Sequence, residues 1–299
     1  VHEHTNIPFQ ICELGGGSGK FAKQLIESFI QKGITNGTYF FIEGHDDHRE
    51  KVRSLKIHNW KIITYPSLFE FIHEHGPIEG FMFSNEFFDA QPVPVIEMRE
   101  GKLREIYIRV SEHGSLEEVS LPCREPLVQW IEKYSIRLEE GQRIEVPLYL
   151  HTIMKQISSS LTKGIVLTID YGYTNEEWQD PRRRDGSLRG YYQHEQYSNV
   201  LEHVGKMDIT HHIHWDPFME IGEEHELESL ILMKQREFLL KTNILQYLSE
   251  NKSGSYFTNE AKQNRAIQSL ISGDIMGEMF DVCIQSKNVN GDKIRSLLK

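Results

Sequence analysis

The sequence has only three cysteines, Cys12, Cys123 and Cys283, in 299 residues. They have no metal-ligand spacing and cannot all pair, which argues against a disulfide framework and the common zinc modules. Cys12 and Cys283 fall in apolar, strand-like runs and read as buried free thiols, as expected in a reducing cytoplasm. No run approaches the ~18 consecutive apolar residues of a membrane span, and no apolar signal-peptide core opens the chain. Positive charge is scarce: 33 Lys and Arg stand against 44 Asp and Glu, a net charge of −11. That speaks against a general nucleic-acid binder, whose affinity comes mostly from cationic phosphate contacts. The expectation is a cytoplasmic globular chain with neither membrane nor nucleic-acid partner. It has no repeats and no low-complexity tracts. It opens on Val1 rather than methionine and is expected to be a fragment, a processed form or a trimmed chain.

Glycine, by contrast, is concentrated early. Ile11-Cys12-Glu13-Leu14 runs into Gly15-Gly16-Gly17-Ser18-Gly19-Lys20-Phe21. Such a loop between a strand and a helix brings backbone N–H groups close to a ligand, although a plain tight turn also uses glycine. A triphosphate loop would need glycine at 14 and Ser or Thr at 21, where Leu14 and Phe21 stand. A dinucleotide fingerprint fits Gly15 and Gly17 but asks for glycine at 20, where Lys20 stands. Glu13 at the strand end would also repel a pyrophosphate resting on the helix N-terminus. An acid there suits a ligand with a positive group.

The first 90 residues alternate strand and helix. Phe9–Leu14, Tyr39–Ile42, Trp60–Tyr65 and Gly80–Phe83 read as strands; Phe21–Gln31 carries a helical apolar stripe, and Leu68–His75 reads as a short helix. This order implies a parallel sheet with its ligand at the carboxyl ends of the strands. The rhythm changes at VPVIEMREGKLREIYIRV, an antiparallel ribbon. It resumes with a helix over His151–Leu161 and a strand at Ile165–Asp170. After a polar loop of more than 30 residues come a strand at Leu227–Met233, a helix over Gln235–Tyr247 and a last strand at Met279–Gln285. The expected division is a core of 1–90 and 151–299 interrupted by an inserted substrate-side subdomain, 91–150.

Several ordered motifs resemble one family. Glu13 followed by Gly15, Gly17 and Gly19 is similar to the first motif of class I S-adenosylmethionine-dependent methyltransferases. Ser84-Asn85-Glu86-Phe87-Phe88-Asp89-Ala90-Gln91-Pro92-Val93 resembles the N-E-x-x-D-A-x-P-V signature of the MidA family, whose mitochondrial member is an arginine methyltransferase assisting respiratory complex I assembly. Asp170-Tyr171-Gly172-Tyr173 resembles its I-D-Y-G segment, Ser187–His194 its T-L-R-x-Y-x-x-H, and Asp208–Trp215 its D-I-T-x-H-V-D-F, with His214 where the family often has an acid. Together the motifs cover residues 9 to about 285. The family usually has an N-terminal helical segment of some tens of residues; here eight residues precede the first strand, so this chain is expected to bind cofactor poorly.

The resemblance implies an α/β fold with a Rossmann-like, mostly parallel sheet and an antiparallel last strand, plus the antiparallel insertion. It implies S-adenosyl-L-methionine as cofactor and methyl transfer to a protein side chain, most plausibly arginine. The cofactor set it suggests is Glu13, Gly15, Gly16, Gly17, Ser18, Gly19, Glu43 for the ribose hydroxyls, Ser67 and Leu68 beside the adenine, and Asn85 at the methionine end or as a helix cap. Glu43 lies 28 residues past Gly15, at the end of the second strand. An exposed strand-end acid is the alternative reading for it.

Glu86 and Asp89, three apart at an expected helix start, would share a face and could hold a guanidinium bidentately; acids that merely oppose a helix dipole are the bland alternative. Asp170 and Tyr171 end the fifth strand and are substrate-side candidates, and His194 could accept a proton near neutrality. A packed or surface histidine is the commoner role. His45-Asp46-Asp47-His48 and His211-His212-Ile213-His214 match no familiar zinc spacing, so no metal is expected. A small-molecule methyltransferase and a non-catalytic assembly protein that has kept the fold both remain open, and a homodimer is one arrangement open to such a chain. A closed apolar pocket beside Asn85 would favour the small molecule over an open acidic groove.

Overall fold

The computed structural model describes residues 9–55, 57, 59–193, 195–250, 256–272 and 278–298. In chain order it contains β1 (Gln10–Leu14), α1 (Lys20–Gln31), β2 (Asn36–Ile42), α2 (Asp46–Arg53), β3 (Asn59–Tyr65), α3 (Leu68–Glu74) and β4 (Ile78–Asn85). Next come β5 (Val95–Arg99), β6 (Lys102–Val110), β7 (Leu116–Pro122), α4 (Glu125–Lys133), β8 (Arg143–Glu145), α5 (Leu150–Ser159) and the long β9 (Leu161–Tyr173). The remainder is β10 (Arg189–Tyr192), β11 (Glu195–Tyr197), β12 (Asp208–Thr210), β13 (Ile213–His214), α6 (Trp215–Glu224), β14 (Glu228–Lys234), α7 (Gln235–Lys241), α8 (Asn259–Ile271), β15 (Phe280–Lys287) and α9 (Gly291–Leu297). Among the described residues no helix is long and apolar enough to cross a membrane.

The chain divides into two compact units. The first takes Val1–Glu86, Met154–Asp170 and Gly222–Lys299; the second takes Phe87–Ile153 and Tyr171–Ile221. The second unit therefore holds Tyr171–Ile221 as well as the insertion expected over 91–150.

In the first unit the strands stand in the order β14-β15-β9-β4-β1-β2-β3. β1 is parallel to both β2 and β4, β2 to β3, and β4 to β9, whereas β14 runs antiparallel to β15. The mostly parallel sheet with an antiparallel last strand is thus as expected. Alternation along the strands sends side chains to opposite faces. Ile11, Tyr39 and Phe41 pack with Ala22 and Ile26 of α1, while Phe40 meets Phe71 of α3 at 5.1 Å between ring centroids. Tyr39, Phe40 and Phe41 are all fully buried, and each contributes about 2 kcal/mol by leaving water.

Two expectations change in this unit. The helix expected over Gln235–Tyr247 stops at Lys241: Thr242 Oγ1 bonds the Phe238 carbonyl at 2.9 Å, Asn243 turns left-handed at φ 61°, and a separate 3₁₀ turn covers Ile244–Tyr247. No helix starts at Glu86 either. That residue leaves β4 with φ 50° and leads into a turn, so Glu86 and Asp89 do not share a helical face and Asn85 caps no helix.

The second unit carries the antiparallel sheet β7-β6-β5-β8, as the ribbon pattern predicts, and a three-stranded sheet, β11-β10-β12. The latter occupies part of the stretch expected to be polar loop; its strands are only three or four residues long, too short for alternation to declare them. His211 and His214 of this unit are buried. His214 is fully buried, stacks on Trp178 with ring centroids at 4.7 Å, and meets the Glu145 carbonyl through Nε2 at 2.8 Å. Burial lowers its pKa to about 3, so it is neutral at working pH.

An unfolded histidine titrates near 6.5. The stability that neutral His214 confers is therefore complete above about pH 6.5 and is lost as pH falls toward 3, at about 1.4 kcal/mol per pH unit. His214→Asn keeps a donor for Glu145. Its denaturant midpoint should fall less steeply between pH 6.5 and 4 than that of the parent; parallel slopes would refute the assignment.

Candidate cofactor site

The glycine loop leaves β1 at Leu14 and enters α1 at its N-cap, Gly19. Gly17 and Gly19 are left-handed, at φ 54° and 72°. Space is a second constraint: a Cβ on Gly16 would lie 2.0 Å from the Phe41 ring, and one on Gly19 would lie 2.1 Å from Val52. Ser18 is exposed on the loop. α1 starts without a side-chain cap and without an acid in its first turn. Its leading N–H groups thus present a bare positive helix end suited to a carboxylate.

Two carboxylates flank this loop. Glu43, just past β2 and 8% exposed, accepts from the Gly17 N–H at 2.8 Å and from the His45 N–H at 2.9 Å. Arg49, buried on α2, donates to the carbonyl oxygens of Glu43 and Gly44 and pairs with Asp46. Glu13, 5% exposed at the end of β1, accepts from the Tyr39 hydroxyl at 2.8 Å and has no ion pair among the described residues. Burial raises its pKa to about 7, with the nearby Glu43 charge adding to the rise and the Tyr39 hydrogen bond opposing it.

The expected adenine side is less free than the sequence suggests. Ser67 is the N-cap of α3: its Oγ accepts from the Phe69 N–H at 3.1 Å and donates to the Glu70 carboxylate. Leu68 is buried as the first residue of that helix. What Ser67 can offer a ligand is its backbone.

At the tip of β4, Asn85 donates to the Glu86 carboxylate at 3.0 Å, and the Glu86 N–H holds the Ile169 carbonyl at 3.0 Å. Asn85 and Glu86 are both exposed. Beside them a cavity of about 860 Å³ opens along one face of the sheet. Glu13, Gly15, Gly16 and Asn85 lie among its lining residues, which are otherwise mostly apolar, with Phe81, Phe83, Ile165 and Leu167 on the strands and Phe21 and Leu25 on α1.

Asp170 is fully buried in the first unit. Asp89 and Tyr171 belong to the second unit, where the Tyr171 hydroxyl donates to the Asp89 carboxylate and both are buried. The Asp89 carbonyl accepts from the His211 N–H at 3.0 Å, and Tyr149 donates to the Phe88 carbonyl at 2.7 Å. Glu145 gathers the N–H groups of Ser187 and Leu188 and the Ser187 hydroxyl. His194 lies outside the described residues. Among the described residues no group of three or more His, Cys, Asp or Glu could hold a metal ion.

Sequence reasoning missed Tyr39, Arg49 and Glu145. Tyr39 was open to it, since it pairs with Ile11 in the parallel register and so shares a sheet face with Glu13. Arg49 and Glu145 carry no comparable signal.

Residues 2–233 match a family described as "putative S-adenosyl-L-methionine-dependent methyltransferase". The chain belongs to this methyltransferase family. Its cofactor is therefore S-adenosylmethionine. A solved COG1565 superfamily member from Burkholderia thailandensis, bound to S-adenosylhomocysteine, shares the fold: TM-score 0.84 at 22% identity, covering 97% of this chain and 74% of that one. A native COG1565 superfamily structure from the same organism gives a TM-score of 0.83 at 22% identity, with 97% and 76% covered. No curated protein matches the chain. In this methyltransferase the acid at Glu13, without an ion pair among the described residues, and the uncapped start of α1 fit a ligand that carries both an ammonium and a carboxylate.

Two substitutions test the described geometry. Gly16→Ala should cost about 1–3 kcal/mol, because the Phe41 ring must move in a packed core. Glu86→Gly should hold or raise the thermal midpoint by up to about 3 °C, since a non-glycine residue at positive φ costs about 1–2 kcal/mol. A lower midpoint for Glu86→Gly, by scanning calorimetry, would contradict the left-handed assignment.

Proposed function

We propose that this methyltransferase modifies an arginine side chain of a protein, as its resemblance to the MidA family implies. The observation that carries the cofactor half is the pair of acids at the ends of neighbouring strands, Glu13 and Glu43, on either side of one glycine loop. When bound, S-adenosylmethionine supplies an electrophilic sulfonium methyl. Glu13 would face the ligand's ammonium group, and Gly15–Gly19 with the start of α1 would take its carboxylate. Glu43 would accept the ribose hydroxyls, which its two backbone hydrogen bonds leave lone pairs to do. The Ser67 backbone and Leu68 would lie on the adenine side.

On the acceptor side, Glu86 is the exposed acid at the tip of β4. Held by Asn85, it could bind a guanidinium and draw its charge toward the nitrogens not being methylated. Positioning rather than strong base catalysis would supply most of the rate. Asp89, closed in by Tyr171, is better suited to fixing the turn after β4 than to meeting substrate. Asp170, fully buried, is cast in a supporting role of the same kind.

One observation favours a second reading. The cavity beside Asn85 is apolar, which suits a small apolar acceptor better than a charged side chain.

Calorimetric titration with S-adenosylhomocysteine tests the cofactor half. Gly17→Val should abolish binding, and Glu43→Ala should weaken it about ten- to hundredfold, the worth of charge-assisted hydrogen bonds. Labelled-methyl transfer to arginine-containing peptides, read as methylarginine, tests the acceptor. Glu86→Gln should lose transfer while keeping S-adenosylhomocysteine affinity. Label appearing in a small organic acceptor and never in methylarginine would favour the second reading.

A further inference from the structure

Tyr39 has no place in the motifs, yet among the described residues its hydroxyl is the side-chain donor that meets the Glu13 carboxylate, at 2.8 Å. Tyr39 is fully buried on β2, and the register places it opposite Ile11, two residues before Glu13 on the same sheet face. It therefore fixes which oxygen of Glu13 is tied down and which is left to face the cavity.

The surroundings of Glu13 are otherwise poor in compensation. On β2 and just past it the ionisable neighbours are Tyr39 and a second acid, Glu43; on β1 there is Cys12. β4 places Phe83 opposite Glu13 in register and brings Asn85 to the cavity, neither of them ionisable. α1 offers Phe21 and Leu25 to the same cavity. No cation among the described residues pairs with Glu13. Burial in this position favours the protonated carboxyl, and a positive ligand favours the ionised one.

We infer that Tyr39 and Glu13 form a proton-linked receptor for the cationic end of the cofactor: binding expels one proton from the Glu13 carboxyl to solvent, and the Tyr39 hydroxyl sets the pH at which this happens. The inference rests on the cofactor reading above. A neutral carboxylic acid gives up H⁺ to water, and the resulting carboxylate pairs with the ligand's ammonium group, so no further reactant is needed. Among the protein's own groups Glu13 titrates at about 7, within reach of ordinary working conditions. The ligand prefers the ionised form, so by linkage affinity rises with pH up to the Glu13 midpoint and is level above it. Tyr39 donates to the ionised form and favours it, so its loss moves the midpoint upward. Tyr39 is thus a positioning residue that acts through Glu13.

The test is calorimetric titration of the full chain with S-adenosylhomocysteine from pH 5.5 to 9, in buffers of differing ionisation enthalpy so that released protons are counted. Parent, Tyr39→Phe and Glu13→Gln are compared. The ligand's own ionisation is common to all three and cancels in their ratios. The parent should gain up to about tenfold in affinity per pH unit below 7 and release up to one proton per ligand bound. Tyr39→Phe should shift that rise to higher pH while reaching a similar plateau. Glu13→Gln should bind weakly and, relative to the ligand's own titration, without pH dependence. A uniform loss of affinity at every pH in Tyr39→Phe would mean that Tyr39 is only structural, and would overturn the inference. If Tyr39→Phe fails to fold, the proton count of the parent against Glu13→Gln still decides: equal release in both refutes it. Binding with no proton release sinks this inference alone, whereas no binding at any pH sinks the cofactor reading with it.

Discussion

The Glu43 carboxylate is the constraint on which the cofactor site depends. One oxygen takes the Gly17 N–H and the other the His45 N–H, so a single side chain closes the glycine loop and starts the turn into α2. A loop rich in positive-φ glycine is entropically costly to fix, and this tie crosses 26 residues of sequence to fix it. Glu43 is itself held from behind, because Arg49 grips its carbonyl oxygen. Removing Arg49 would loosen the loop without touching a ligand directly. The same carboxylate keeps further lone pairs, so under the proposed function loop support and ligand recognition share one residue.

The strand-helix alternation of the first unit was legible because its strands end in polar punctuation: Glu13, Glu43, Asn85. The positions of Glu13, Glu43 and the glycine loop follow from that alone, since parallel strands bring their carboxyl ends to one rim. Other features were opaque for physical reasons. Glu86 sits where sequence spacing suggests a helical turn, but its positive φ is a cost that only the surrounding structure could impose. Ser67 looks like a ligand-facing serine after a strand, yet its hydroxyl is taken up by the start of α3 and by Glu70 three residues on, and Ser-x-x-Glu is a helix-start signature that could have been read. The division of the chain was opaque for another reason: residues 171–221 join the insertion through contacts far apart in sequence, which no local pattern records.

The second unit is organised around buried polar groups. Glu145, 1% exposed, is satisfied by two backbone N–H groups and the Ser187 hydroxyl, and the same hydroxyl accepts from the His212 N–H at 2.9 Å. Removing one member would leave a buried charge or donor unsatisfied, at about 1–3 kcal/mol each. Such a network ties Ser187, Leu188 and His212 to Glu145, and a fully satisfied buried network favours one arrangement of its members. The Asp89–Tyr171 hydrogen bond lies in the same unit, and the His211 backbone binds Asp89 in turn. That is why the family-like motifs 84–93, 170–173 and 208–215 can be far apart in the chain and still be mutually dependent.

Two acids near one another at the rim of an apolar sheet are a poor choice for stability. Glu13 gives up hydration and gains one tyrosine hydroxyl, while Glu43 adds repulsion. A glutamine at 13 would remove both penalties and keep the hydrogen bond to Tyr39. The acid makes physical sense only if something positive completes the site, and the uncapped start of α1 asks in the same way for something negative. A zwitterionic amino-acid group answers both demands at once, whereas a dinucleotide or a nucleoside triphosphate answers only the second. The acid without an ion pair among the described residues and the uncapped helix start thus set the charge pattern of a complementary ligand independently of the glycine motif.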